Sequence, residues 1–108
     1  MYIRYNTHTP NRFEWDPVRR ERTLSERGID FVRAALIFNR PTFERPDRRR
    51  EYGEHRQVAI GLTDAATCLT VVYTDRARAD GRHVRRIISA RRSNRRERQA
   101  YQNAILSR

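Results

Sequence analysis

Three stretches of this chain carry the side-chain alternation of β-strands. Residues 57–63 place Val58, Ile60 and Leu62 on one side. Residues 68–74 set Leu69, Val71 and Tyr73 against Thr70, Val72 and Thr74, and residues 83–90 carry Ile87 and Ile88 among arginines. A repeat of two is the signature of an extended strand, whose successive side chains point to opposite faces. Residues 64–67 read as the first connecting turn. Asp80-Gly81 reads as a hairpin turn, since both residue types tolerate positive φ. Nearer the start, Phe13-Glu14-Trp15 predicts one more short strand.

Helical signals lie between and after these strands. Asp16 followed by Pro17 is an acidic cap with proline at the first helical position, where its missing N–H costs nothing. That helix should run to about Arg27 and stop at Gly28, with Val18 and Leu24 as its apolar anchors. Asp30 caps a second helix, in which Phe31, Val32, Ala34, Ala35, Leu36, Ile37 and Phe38 offer a wide buried face up to Asn39 and Pro41. Residues 39–51, charged and bounded by proline, read as a loop whose Arg48-Arg49-Arg50 run is solvated. Asn94, with Glu97 three residues later, makes a capping box for a last helix through Tyr101 and Ala104 towards Leu106. Residues 1–12 show no period and read as an N-terminal extension. The expected order is β-α-α-β-β-β-α in one α+β domain over 13–108: a four-stranded antiparallel sheet packed on two N-terminal helices, with a helix at the C-terminus.

Composition narrows the partners. The formal net charge is +11 over 108 residues, from 24 basic and 13 acidic residues. Every basic residue counted there is arginine, so Schiff-base or lysine-base chemistry is excluded. Guanidinium grips phosphate bidentately, and so positive a surface favours polyanions. The single Cys68 sits in an apolar run and reads as a small buried hydrophobe, with no internal disulfide possible. His8, His55 and His83 lack metal-ligand spacing, so neither a metal site nor a cofactor is readable. No apolar run suits a membrane span or a signal peptide, which points to a cytoplasmic protein with no membrane attachment.

Several pieces, in order, resemble the BrnT family of toxins. They are Phe13-Glu14-Trp15-Asp16, Gly28-Ile29 with Phe31, then Phe38 and Pro41, Gly53-Glu54-x-Arg56 before Ile60-Gly61, and Val71-Val72-Tyr73-Thr74. Arg86-Ile87-Ile88-Ser89-Ala90-Arg91, then Arg95-Arg96-Glu97-Arg98 and Tyr101, complete the set; the Arg-Ile-Ile-Ser-Ala-Arg segment is the most specific. The resemblance implies a RelE-like ribonuclease fold, an endoribonuclease that inhibits translation, and a BrnA-type ribbon-helix-helix antitoxin that neutralises it in a hetero-oligomer. Operator DNA would be bound only through that antitoxin. Arg19, Thr23, Glu26 and Arg27 stand where the family usually carries a lysine, an asparagine and a Lys-His pair. Arg27 cannot replace a histidine as a proton carrier.

Metal-independent RNA cleavage by the 2′-hydroxyl needs a base, a stabiliser of the phosphorane charge and a proton for the 5′-oxygen. The candidates for charge stabilisation are Arg56, Arg86 and Arg91, each beside apolar strand residues. Arg86 and Arg91 have opposite parity and share a face only if the strand bulges or ends between them; the expectation is that it ends. Glu54 is the first candidate for the base, with His55 beside it as competitor. Tyr101 could touch substrate, donate a proton or simply pack on the sheet. His55, Arg92 and Arg95 are candidates for RNA binding. Glu97 is better explained as a helix cap, Trp15 as core and Ser89 as a strand residue. The alternative reading is a basic nucleic-acid-binding or protein-interaction domain without catalysis.

Overall fold

In the computed structural model, which describes residues 1–6, 12–49 and 51–106, the elements follow one another as β1 (Tyr2–Arg4), β2 (Arg12–Trp15), α1 (Pro17–Arg27), α2 (Phe31–Ala34), β3 (Thr42–Pro46), β4 (Gln57–Leu62), β5 (Cys68–Ala77), β6 (His83–Arg92) and α3 (Arg95–Tyr101). Helix α2 tightens into a 3₁₀ segment over Ala35–Asn39, and α3 loosens into a π-helical turn over Gln102–Leu106. The sheet has six strands in the order β1-β3-β4-β5-β6-β2, antiparallel except for the parallel pairing of β2 with β6.

Two of these strands correct the sequence reading. Residues 2–4, read as part of an N-terminal extension without a period, form a strand that pairs with Glu44, Phe43 and Thr42 at the sheet edge. The stretch read as a loop at 39–51 contains β3, which joins β1 to β4 and makes the sheet six-stranded instead of four-stranded. Its charge hid it. Glu44 is fully buried, yet its carboxylate accepts hydrogen bonds from the hydroxyls of Thr42 (2.6 Å) and Tyr73 (2.5 Å) and the amide of Gln57 (3.2 Å). Partners of this kind remove the penalty of burying a carboxylate, and no sequence period announces them. Residues 7–11, with His8, and Arg50 of the Arg48-Arg49-Arg50 run lie outside the described residues.

One face of the sheet carries the core. Ala59, Leu69, Val71, Tyr73, Ile87 and Ala90 meet Phe31, Ala34, Ile37 and Phe38 of the α2 segment there. Gly61 allows the closest approach: a Cβ there would stand 2.9 Å from Ile37 Cβ. Arg85 is buried in this face, sandwiched between the rings of Phe38 (4.6 Å) and Tyr73 (4.2 Å), with both oxygens of Asp75 accepting from its guanidinium. Trp15 packs edge-on against Phe31, as core rather than as an exposed stacking platform.

Helix α1 begins and ends as read: Asp16 accepts from the Val18 amide, and Gly28 caps it in the left-handed region at φ 70°. Its expected anchors fail, however. Val18 and Leu24 are 64% and 45% exposed, and no α1 residue is buried. Guanidinium contacts hold the helix instead. Arg20 forks onto Asp30 and lies over Trp15, while Arg19 and Arg27 donate to the carbonyls of Ile88 (3.4 Å) and Ala90 (3.0 Å). Strand β2 pairs with β6 only as far as Ile87. The two arginines therefore occupy carbonyls that the short edge strand leaves open.

The capping box of α3 forms in both directions between Asn94 and Glu97. Cys68 is half-buried, its thiol donating weakly to Ser93 at 3.4 Å, and burial pushes its pKa up. Among the described residues no helix is long and apolar enough to cross a membrane.

Candidate functional site

Opposite the core, the sheet carries a groove between α1 and the β3–β4 loop. Strand β6 makes its floor. The β5–β6 register shifts between Val72 and Tyr73, which pair with Ser89 and Ile87, so Ile88 is an extra residue, a β-bulge. Bulges re-aim side chains and recur beside active sites. Here the extra residue restores parity. Arg86, Ser89 and Arg91 all pair with outer-face residues of β5, namely Thr74, Val72 and Thr70. The strand does not end before Arg91, as expected from sequence; it bulges and continues to Arg92.

The bulge unites the groove. A recess of about 170 Å³ is lined by Asp16, Arg19, Glu54, Arg56, Arg86, Ile87 and Ile88. Arg56, Arg86 and Glu54, three of the residues singled out from sequence, therefore meet. Arg56 donates to Glu54 Oε1 at 3.2 Å through Nη2, and Arg76 Nη2 stands 3.6 Å from Glu54 Oε2. Among the described residues Arg86 has only a long contact to Glu14, at 3.6 Å, and Glu14 also holds Arg78 at 3.2 Å. Glu54 and Arg86 keep 27% and 30% of their side chains accessible, enough to meet a substrate while staying ordered.

The remaining candidates fall elsewhere. Arg91 is forked onto Glu97 at 2.7 and 2.8 Å, which raises its pKa, and it lines no part of the recess. For Glu97, burial disfavours ionisation, yet the bonds from Arg91 and the Asn94 amide bring its pKa below the ordinary value. Tyr101 is buried, donates its hydroxyl to the Pro41 carbonyl at 3.1 Å, and has its pKa raised by burial. It lines no part of the recess. The His55 ring bonds Gln57 at 3.0 Å; it shares a hollow of about 460 Å³ with Glu54 and Arg56 but does not line the recess that Arg86 enters. Arg92 and Arg95 are exposed beyond the groove, at the end of β6 and the start of α3.

Sequence reasoning missed Arg19, Arg49 and Tyr52. The Tyr52 ring stacks under the Arg56 guanidinium at 3.9 Å. Both belong to the β3–β4 loop, whose neck is closed by the Asp47 amide bonding to the Arg56 carbonyl at 2.8 Å. The Asp47 carboxylate takes two 2.8 Å bonds from Arg49, with Tyr52 also bonded to it, and its pKa falls to about 2. This carboxylate orders the loop. Arg19 was legible as a helix residue and a departure from the family pattern, but not as part of the groove, because the carbonyl that orients it lies on a strand nearly seventy residues away.

Arg22, Thr23, Glu26 and Arg27 continue the groove along α1, facing Ile88 and Ser89. Among the described residues no three His, Cys, Asp or Glu side chains gather as metal ligands would. A family model described as the ribonuclease toxin BrnT of type II toxin–antitoxin systems matches residues 15–97. That span contains the whole groove and stops before Tyr101. No curated protein matches the chain.

Proposed function

Because the chain belongs to the BrnT family of ribonuclease toxins from type II toxin–antitoxin systems, we propose that it is an endoribonuclease whose reaction takes place where Glu54, Arg56 and Arg86 line one recess. RNA is the target of such a toxin and an antitoxin is its partner. The carrying observation is the convergence of two guanidiniums and one carboxylate on the bulged part of β6.

In the proposed reaction the Glu54 carboxylate takes the proton of a ribose 2′-hydroxyl. The 2′-oxygen bonds to the adjacent phosphorus, and the bond from phosphorus to the 5′-oxygen breaks. The products are a 2′,3′-cyclic phosphate and a 5′-hydroxyl, whose proton comes from water. Among the described residues, Glu54 is the one carboxylate lining the recess besides Asp16, whose carboxylate caps α1. Arg56 and Arg86 carry the charge that builds up on the phosphoryl oxygens. Arg56 is held by Tyr52 and Glu54, and Arg86 by its place in β6, so little reorganisation is needed as the charge develops. The step draws on no metal.

The finer biology follows the same reading. The fold is taken as RelE-like, the cleavage as a block on translation in the cytoplasm, and the neutralising partner as a BrnA-type ribbon-helix-helix antitoxin in a hetero-oligomer that binds operator DNA through its antitoxin half. Incubating the purified chain with RNA in EDTA tests the reaction. Fragments ending in 2′,3′-cyclic phosphate are expected. Tight, salt-sensitive binding without fragments would instead favour a nucleic-acid-binding module.

A further inference from the structure

Beside the proposed reaction recess lies a second hollow, of about 290 Å³, lined by Arg19, Arg49, Tyr52, Arg56, Val72, Ile88 and Ser89. The two share Arg19, Arg56 and Ile88. Its chemistry differs. The floor is apolar, made by the outer-face side chain of Val72 and the bulge residue Ile88, although three arginines stand around it. One wall is the Tyr52–Arg56 stack, a flat pair of π-faces at 3.9 Å. Ser89 puts a hydroxyl at the rim, and among the described residues no hydrogen bond occupies it.

A site that held phosphates alone would have no use for an apolar floor and a stacked ring. A flat heteroaromatic group with polar edges fits all three features: apolar contact beneath, stacking at the side, a hydroxyl and guanidiniums at the edge. We propose that this hollow seats the base of one unpaired ribonucleotide next to the scissile phosphate, so that single-stranded RNA is the substrate class and Tyr52 is the residue positioning it. Bases within a duplex remain stacked on one another and cannot enter such a pocket. The bulge at Ile88 explains the coupling of the two recesses, since one extra residue both floors the base seat and borders the Arg86 site. The inference takes from the ribonuclease reading only the position of the scissile phosphate.

The test uses the full chain and short RNA strands with 2′-fluorine throughout, which cannot be cut, carrying 2-aminopurine at one position at a time. Stacking quenches 2-aminopurine. Wild type should quench it strongly at one position, Tyr52→Ala should lose most of that quenching, and Tyr52→Phe, which keeps the ring, should retain it. Stacking on an aromatic side chain corresponds to an affinity change of about five- to a hundredfold, so Tyr52→Ala should bind at least fivefold more weakly. An abasic residue at the quenched position should weaken wild type by a similar factor and Tyr52→Ala hardly further. That substrate-side change needs no folded variant. Equal quenching by wild type and Tyr52→Ala, an abasic strand bound as tightly as the intact one, or a duplex bound as tightly as the single strand would each overturn the proposal. Because the strands are uncleavable, a chain that cuts no RNA would overturn the ribonuclease reading while leaving this measurement intact.

Discussion

Among the arginines, surroundings rather than residue type separate the candidate catalytic groups from the rest. Arg85 is consumed by Asp75 and two aromatic faces, Arg91 by Glu97, and Arg49 by Asp47. Among the described residues Arg86 keeps its guanidinium nearly free, 3.6 Å from Glu14. Arg86→Ala should therefore lower kcat for RNA cleavage by about 10²–10³, the usual loss for one preorganised donor to a developing oxyanion. Arg91→Ala should cost less than about tenfold. Its main effect should fall on stability, by about 1 kcal/mol, because Arg91 is half-exposed and solvent screens the pair, although Glu97 is largely covered. Single-turnover kinetics beside urea melts would separate the two; equal loss of activity in both variants would count against the recess as reaction site. Sequence reasoning proposed Arg56 from the start of one strand, Arg86 from within another and Glu54 from the charged entry to a strand. It ranked Arg91 with them because nothing in a linear pattern reveals that Glu97 engages both its own helix cap and that guanidinium.

At the level of elements, the β3–β4 loop and the β6 bulge shape the groove. The loop depends on Asp47, which is ionised well below the ordinary carboxylate range because Arg49 donates two bonds to it. Its folded pKa of about 2 lies below its unfolded value near 3.8. Ionisation thus favours the folded loop: the stabilisation is complete above about pH 4 and is lost as pH falls through 2. Since Arg49 is itself 66% exposed, solvent screening reduces the worth of the pair to about 1 kcal/mol. Asp47→Asn should destabilise the chain by that amount at pH 6, and the gap from wild type should close near pH 2 in urea melts. A gap that persists at low pH would show that shape, not charge, gives Asp47 its role. The helix caps were legible because capping is local, as Asn94–Glu97 and Asp16–Gly28 demonstrate. Strands β1 and β3 were not. They are short, β3 carries charge, and both exist through pairing with distant partners.

Viewed whole, the molecule lines one continuous groove with four arginines, Arg19, Arg22, Arg56 and Arg86. If these four contact RNA phosphates, the logarithm of affinity should fall with the logarithm of salt with a slope of about −3, since each neutralised phosphate of a single strand contributes about −0.7. Affinity would then drop about fiftyfold from 50 to 200 mM salt. Arg22→Ala should flatten the slope by about 0.7, read by fluorescence anisotropy on uncleavable RNA; an unchanged slope would place Arg22 outside the phosphate path. Sequence alone determined the α+β class, the three long strands, the caps of the three helices and the basic character, because periodicity, capping and net charge are properties of neighbours along the chain. Tertiary structure alone decided which arginines are spent and which remain available. It also decided that α1 is fastened by guanidiniums on β6 carbonyls, and that one bulged residue turns Arg86 and Ser89 onto a common floor. Each of those outcomes depends on a partner far away in sequence, and on register, which shifts by a whole face when a strand gains a single residue.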